Sequence, residues 1–221
     1  MAGPGSRESL VDVTGLSPWT IGADYFREVR GLDNSAATRL PSHSYGAFVG
    51  YRPLDWLTIC TTLGEAKTEL RDTDEDSSNF RWSIGLQGNI WSYDLTDPEF
   101  LSGRWSIRTD LEYARTEVSG EHADGVWGEL SAALLLNYEI FVKDIKSTEE
   151  MPYSLALYAG PILSMLDGSV TDTDTDININ ESKLVGVVAG ADLYVSHNFS
   201  VGAGVQSFDH ISWQGSVRYH F

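Results

Sequence analysis

Apolar and polar residues alternate along most of this chain, and the alternation starts and stops at intervals. Successive side chains of a strand point to opposite faces, so such a pattern predicts strands with one apolar and one polar side. The clearest case is Ile211 to Phe221. Ile211, Trp213, Gly215, Val217, Tyr219 and Phe221 share one face; Ser212, Gln214, Ser216, Arg218 and His220 share the other. Nine further segments repeat the pattern: 19–26, 44–52, 56–70, 80–90, 105–113, 129–140, 153–165, 185–195 and 199–205. In the seventh, Pro161 falls among apolar residues, and a mid-strand proline costs a ladder bond and usually marks an edge or a bulge. The prediction is an all-β fold: a closed antiparallel up-and-down transmembrane β-barrel of ten strands, or eight if the seventh or ninth segment fails. It spans 18–221 as one domain, behind a Gly- and Ser-rich lead-in at 1–17 expected to be flexible.

The connectors set the sidedness. Those after the first, third, fifth and seventh segments are polar and mostly long, whereas Pro53-Leu54-Asp55 and His197-Asn198 are short. Transmembrane barrels have long external loops and short periplasmic turns, and an even strand count puts both ends of the wall on the periplasmic side. The links after the fourth and sixth segments are longer than that scheme wants. No run approaches the roughly 18 apolar residues of a spanning helix. Trp19, Trp56, Trp91 and Trp105 fall at periplasmic strand ends, and Trp82, Trp127 and Trp213 near external ends, as two aromatic girdles would require. Lipid offers no partner to a free strand edge, so the sheet must close.

Charge narrows the chemistry. The net charge is −17 with no basic cluster, so nucleic acid is excluded as a partner. The single cysteine, Cys60, rules out an intrachain disulfide and a cysteine-based zinc site, and no cofactor is expected. The polar faces carry Asp24, Glu28, Arg30, Arg81, Arg108, Asp110, Glu112, Glu129, Glu139, Asp192, Arg218 and His220. Two readings stay open: a paired network that plugs the lumen, or a thin wet path for ions. The stretch TDTDTDININ sets Asp172, Asp174 and Asp176 on one parity. It reads as a solvated hairpin tip above the membrane, or as a weak calcium site of oxygen ligands.

The alternating last strand, ending on an aromatic, resembles the strand that outer-membrane barrels present to their assembly machinery. Trp213, Val217, Tyr219 and Phe221 would be its signal residues. By the same pattern, residues 19–221 resemble small Gram-negative outer-membrane β-barrel proteins of the opacity and surface-antigen type. That resemblance implies the bacterial outer membrane, with its lipid and the barrel-assembly machinery as partners. It also implies a non-enzymatic, structural or surface-exposed role with a narrow polar lumen. It leaves the oligomeric state open. An exported protein needs a leader, and MAGPGSRESL has no apolar core, so the signal peptide is expected to be absent from this chain. A narrow ion or small-solute channel is the alternative. A second is a surface protease similar to the ten-stranded omptins, in which an aspartate pair faces an aspartate/histidine pair. Asp74, Asp76, Asp209 and His210 bear that comparison, but adjacent Asp209 and His210 point apart on a strand. A soluble lipocalin-like barrel would need the reverse sidedness, an apolar lumen and a polar exterior.

Overall fold

The computed structural model describes residues 17–31, 39–68, 79–95, 103–119, 123–142, 153–172, 175–180, 183–196 and 198–221. Its strands are β1 (Trp19–Gly31), β2 (Arg39–Leu54), β3 (Leu57–Thr68), β4 (Asn79–Leu95), β5 (Gly103–Ser119), β6 (Ala123–Val142), β7 (Tyr153–Asp172), β8 (Thr175–Asn180), β9 (Val185–Ser196), β10 (Phe199–Ser207) and β11 (Ile211–His220). Ten of them form a closed antiparallel barrel in which chain neighbours are spatial neighbours. β11 returns to β1, from Thr20↔His220 to Arg27↔Trp213, and seals the wall. The short β8 folds back on the outer end of β7, from Asp167↔Asn180 to Asp172↔Thr175, before β9 resumes the wall at Leu163↔Val185. The count is therefore ten spanning strands, with β8 an extension outside the membrane.

Alternation fixes which way each side chain looks. Leu111, Leu134 and Trp213 lie on the outer wall, at 45%, 48% and 58% exposure, while Arg218 is 1% exposed inside. Arg108 pairs in register with the inward Leu135 and shares its face. An apolar belt around the whole outside is tolerated against hydrocarbon and not against water. The lipocalin-like arrangement is thereby excluded.

Four local features differ from the sequence pattern. Pro161 does not mark an edge. It pairs with Val187 on β9, while the β6 ladder skips from Ala133↔Ile162 to Leu136↔Ala159. The skip occurs where Gly160 approaches Leu134 so closely that an added Cβ would sit 1.9 Å from the Leu134 carbonyl oxygen. Second, the polar connectors after the fifth and seventh segments are largely strand. β5 and β6 run out to Ser119↔Asp124, and β7 runs out to Asp172. Polar residues there alternate without an apolar face because no hydrocarbon remains to meet. Third, Trp127 is not part of an external girdle. It is 6% exposed and shares the inward parity of Glu129, with Gly168 opposite leaving space for it. Fourth, β4 carries a bulge between Asn89 and Trp91. The extra residue flips the phase, so Trp91 and Tyr93 continue the outer face. Without it they would enter the lumen.

Candidate functional site: the lumen and the outer rim

All the charged residues assigned to the polar faces point inward. Near the end where β8 folds back on β7, four of them meet. Arg30 Nε bonds Glu28, and Arg30 Nη2 donates to Glu129 Oε1 at 2.5 Å. Arg81 lies 3.7 Å from Glu28 and 3.8 Å from Glu129. Ser164 Oγ donates to Glu129 at 3.1 Å. Two cations and two anions cancel, which is the condition under which buried charge is tolerated. The Arg30 guanidinium also lies over the Phe208 ring, 3.9 Å from its centroid.

Beneath this quartet lies an apolar layer. Phe26, Leu135, Tyr158, Ile162 and Val188 form a buried cluster, with Ala133 and Phe208 packed against it. These side chains come from β1, β6, β7 and β9, so the cluster bridges opposite walls. The sequence pattern missed this layer. Each member falls at polar parity, where a lone apolar residue looks like noise. Gln214 Nε2 donates to the Tyr158 hydroxyl at 3.3 Å, and so ties β11 to the layer.

A second ion pair occupies the lower lumen. Arg218 Nη2 donates to Asp24 Oδ1 at 2.5 Å, and Nη1 donates to the carbonyls of Ala23 (3.0 Å) and Val217 (3.2 Å). Its guanidinium covers Phe48, which packs on Cys60. Towards the end that carries Trp19 and Phe221, His220 is hydrogen-bonded through Nδ1 to Thr20 (3.0 Å) and through Nε2 to Ser200 (3.1 Å). Ser154 donates to Glu139 at 2.5 Å. Arg108, Asp110 and Glu112 line up at alternate positions on the inner face of β5, and Asp192 faces Gly202 from β9. A cavity of about 20 Å³ bounded by Asp24, Thr62, Arg81 and Glu112 has room for a water molecule.

The remaining candidates are placed as follows. Trp19, Trp91 and Trp105 are outward at the end of the barrel that carries Phe221, and Trp56 sits in the two-residue turn between β2 and β3. Trp82 and Trp213 are outward near the opposite end, with Trp82 edge-on to Tyr113 at 5.8 Å. Val217, Tyr219 and Phe221 all face outward, and Phe221 packs edge-on to Tyr219 at 5.0 Å. Asp172 and Asp176 lie on β7 and β8 at the hairpin tip, while Asp174 lies outside the described residues. Asp74 and Asp76 also lie outside them, and Asp209 and His210 adjoin in the bend between β10 and β11. Among the described residues no group of three or more histidine, cysteine, aspartate or glutamate side chains is arranged to hold a metal.

No family model and no curated protein matches the sequence. Among solved structures the chain is similar to a Neisserial surface protein A, at 14% identity over 94% of this chain and 99% of that one, TM-score 0.38. It is similar to an outer membrane channel from Pseudomonas putida F1, at 8% identity over 98% and 100%, TM-score 0.43. It is also similar to the outer membrane phospholipase A of Escherichia coli, at 10% identity over 93% and 94%, TM-score 0.29. A surface protein, a channel and an enzyme share this likeness, so function must be read from the residues of this chain.

Proposed function

We propose that this protein is an integral β-barrel of the Gram-negative outer membrane. It does no catalysis, and its lumen is closed. Its role is structural and surface-exposed, carried by the outer wall and the external strands. The observation that carries this reading is the apolar layer of Phe26, Leu135, Tyr158, Ile162 and Val188, stacked under a charge-neutral quartet. An ion crossing that layer would lose its hydration with nothing to replace it. The outer-membrane lipid is the solvent of the outer wall. β11, with Trp213, Val217 and Tyr219 turned outward and Phe221 exposed just beyond it, is the strand that the assembly machinery would meet.

Planar bilayers test the closed lumen. The native chain is expected to give a flat baseline, and Leu135→Ala combined with Ile162→Ala is expected to introduce discrete steps by hollowing the layer. Steps of one size from the native chain would overturn the reading in favour of a narrow channel.

A further inference from the structure

At the end that carries Phe221, β4 outruns its neighbour. β3 begins at Leu57, which pairs with Gly88 on β4, and a last bond runs from Asn89 N to the Trp56 carbonyl at 2.8 Å. β4 continues through Ile90–Leu95. There β5 holds it from one side, from Trp91↔Ile107 to Leu95↔Gly103. Every residue from Ile90 to Leu95 is exposed, and among the described residues none pairs with their other edge. A bare strand edge offers a row of N–H and C=O groups to any chain that can pair with it, and proteins cover or blunt such edges. Ile90–Leu95 carries neither lysine nor proline, and the bulge lies at its start. Trp91 and Tyr93 stack at 6.2 Å on the outer face. On the other face Asp94 accepts from Arg104 Nη2 at 3.2 Å.

The start of the chain joins the wall close by, at the same end. Arg52 N donates to the Pro18 carbonyl at 2.9 Å, and Phe221 N donates to the Trp19 carbonyl at 3.2 Å, so the entry to β1 is fixed from both flanks. Proline at 18 biases Ser17 to an extended backbone. The bare edge of β4 continues the line of β3, and β2 alone stands between β3 and β1. Two spacings of about 4.8 Å therefore separate that line from β1. The four links from Thr14 to Pro18 reach about 13 Å when extended. Of the first 17 residues, only Leu10–Thr14 strings strand-forming side chains together, and Gly15 follows it.

We propose that Ser9–Thr14 of this chain adds to the bare edge of β4 as an antiparallel strand. β4 runs away from the wall and the lead-in must run back to Pro18, so the two directions oppose. The register sets Val13 beside Trp91 and Val11 beside Tyr93, pairs of β-branched and aromatic residues that favour a ladder. Asp12 then falls beside Ser92, whereas a slip of two residues would set it against Asp94. Residue-resolved amide exchange on the full chain in detergent micelles tests the pairing. The amides of Ser9–Thr14 and of Ile90–Leu95 that face each other should exchange about tenfold or more below open-chain rates. Val11→Pro with Val13→Pro removes two donors and should return both sets to open-chain rates, leaving the β4–β5 amides protected. In a Cys60→Ala chain, Val11→Cys with Tyr93→Cys should oxidise to a disulfide, and Leu10→Cys with Tyr93→Cys, on opposite faces, should not. Open-chain exchange of Ser9–Thr14 in the native chain would overturn the proposal. So would protection of the β4 edge that survives the two prolines, since residues 96–102 or another molecule would then be its cover. Each variant is also run cold and boiled on a gel. The prolines lie outside the wall and should leave the mobility shift unchanged, which tells a bare edge from a barrel that fails to close.

Discussion

Leu134 and Leu135 are neighbours in sequence and live in different solvents. Leu134 is 48% exposed on the outer wall, and Leu135 is 1% exposed at the centre of the luminal layer. The outer face asks only that a side chain be apolar, because lipid is fluid and fills any gap. The inner face asks for a particular shape or a particular partner, because its neighbours are fixed. The same β6 strand answers both demands at alternate positions.

The largest effect should come from the inner face. Arg30→Met leaves Glu28 with the longer contact to Arg81, and Glu129 with that to Arg81 and the Ser164 hydroxyl, and losing one partner of a buried pair costs about 3–5 kcal/mol. Urea unfolding from lipid vesicles measures it, and adding Glu129→Gln to that variant should recover part of the loss. Next comes Leu135→Ala, which loses the transfer term and leaves a cavity, about 3–5 kcal/mol. Leu134→Arg places a charge against hydrocarbon and should cost about 2–4 kcal/mol. Leu134→Ala should cost the least, about 2 kcal/mol or under, since hydrocarbon closes over the missing atoms. Equal losses for the two alanine variants would erase the distinction between the faces.

The wall was legible because its signal repeats. Leu130, Leu134, Leu136 and Tyr138 mark the outer parity of β6 many times over, so a single exception does no harm. The lumen was legible only in its charges. Leu135 and Ile162 stand at polar parity on their strands and join Phe26 only through closure, which no local window displays. Trp127 illustrates the opposite error. Its distance from the strand end suggested a girdle, yet its offset of two from Glu129 already put it inside. Trp91 could not be assigned from parity alone, because a bulge one residue earlier reverses the count. The strand extensions above the membrane were hidden because hydrophobic alternation reports burial, and a strand in water on both sides has none to report.

The join between β1 and β11 ties Thr20 to His220, two hundred positions apart. The other seams of the cylinder join consecutive passes of the chain. Loop-closure entropy makes so distant a contact slow to find, and the preceding nine seams can zip before it. Until it forms, the unfinished sheet has two naked margins, the backbone of β1 on one side and of β11 on the other, each open to any passing strand. Those two margins, and not the nine seams already paired, are where the unfinished sheet can add a strand from another chain.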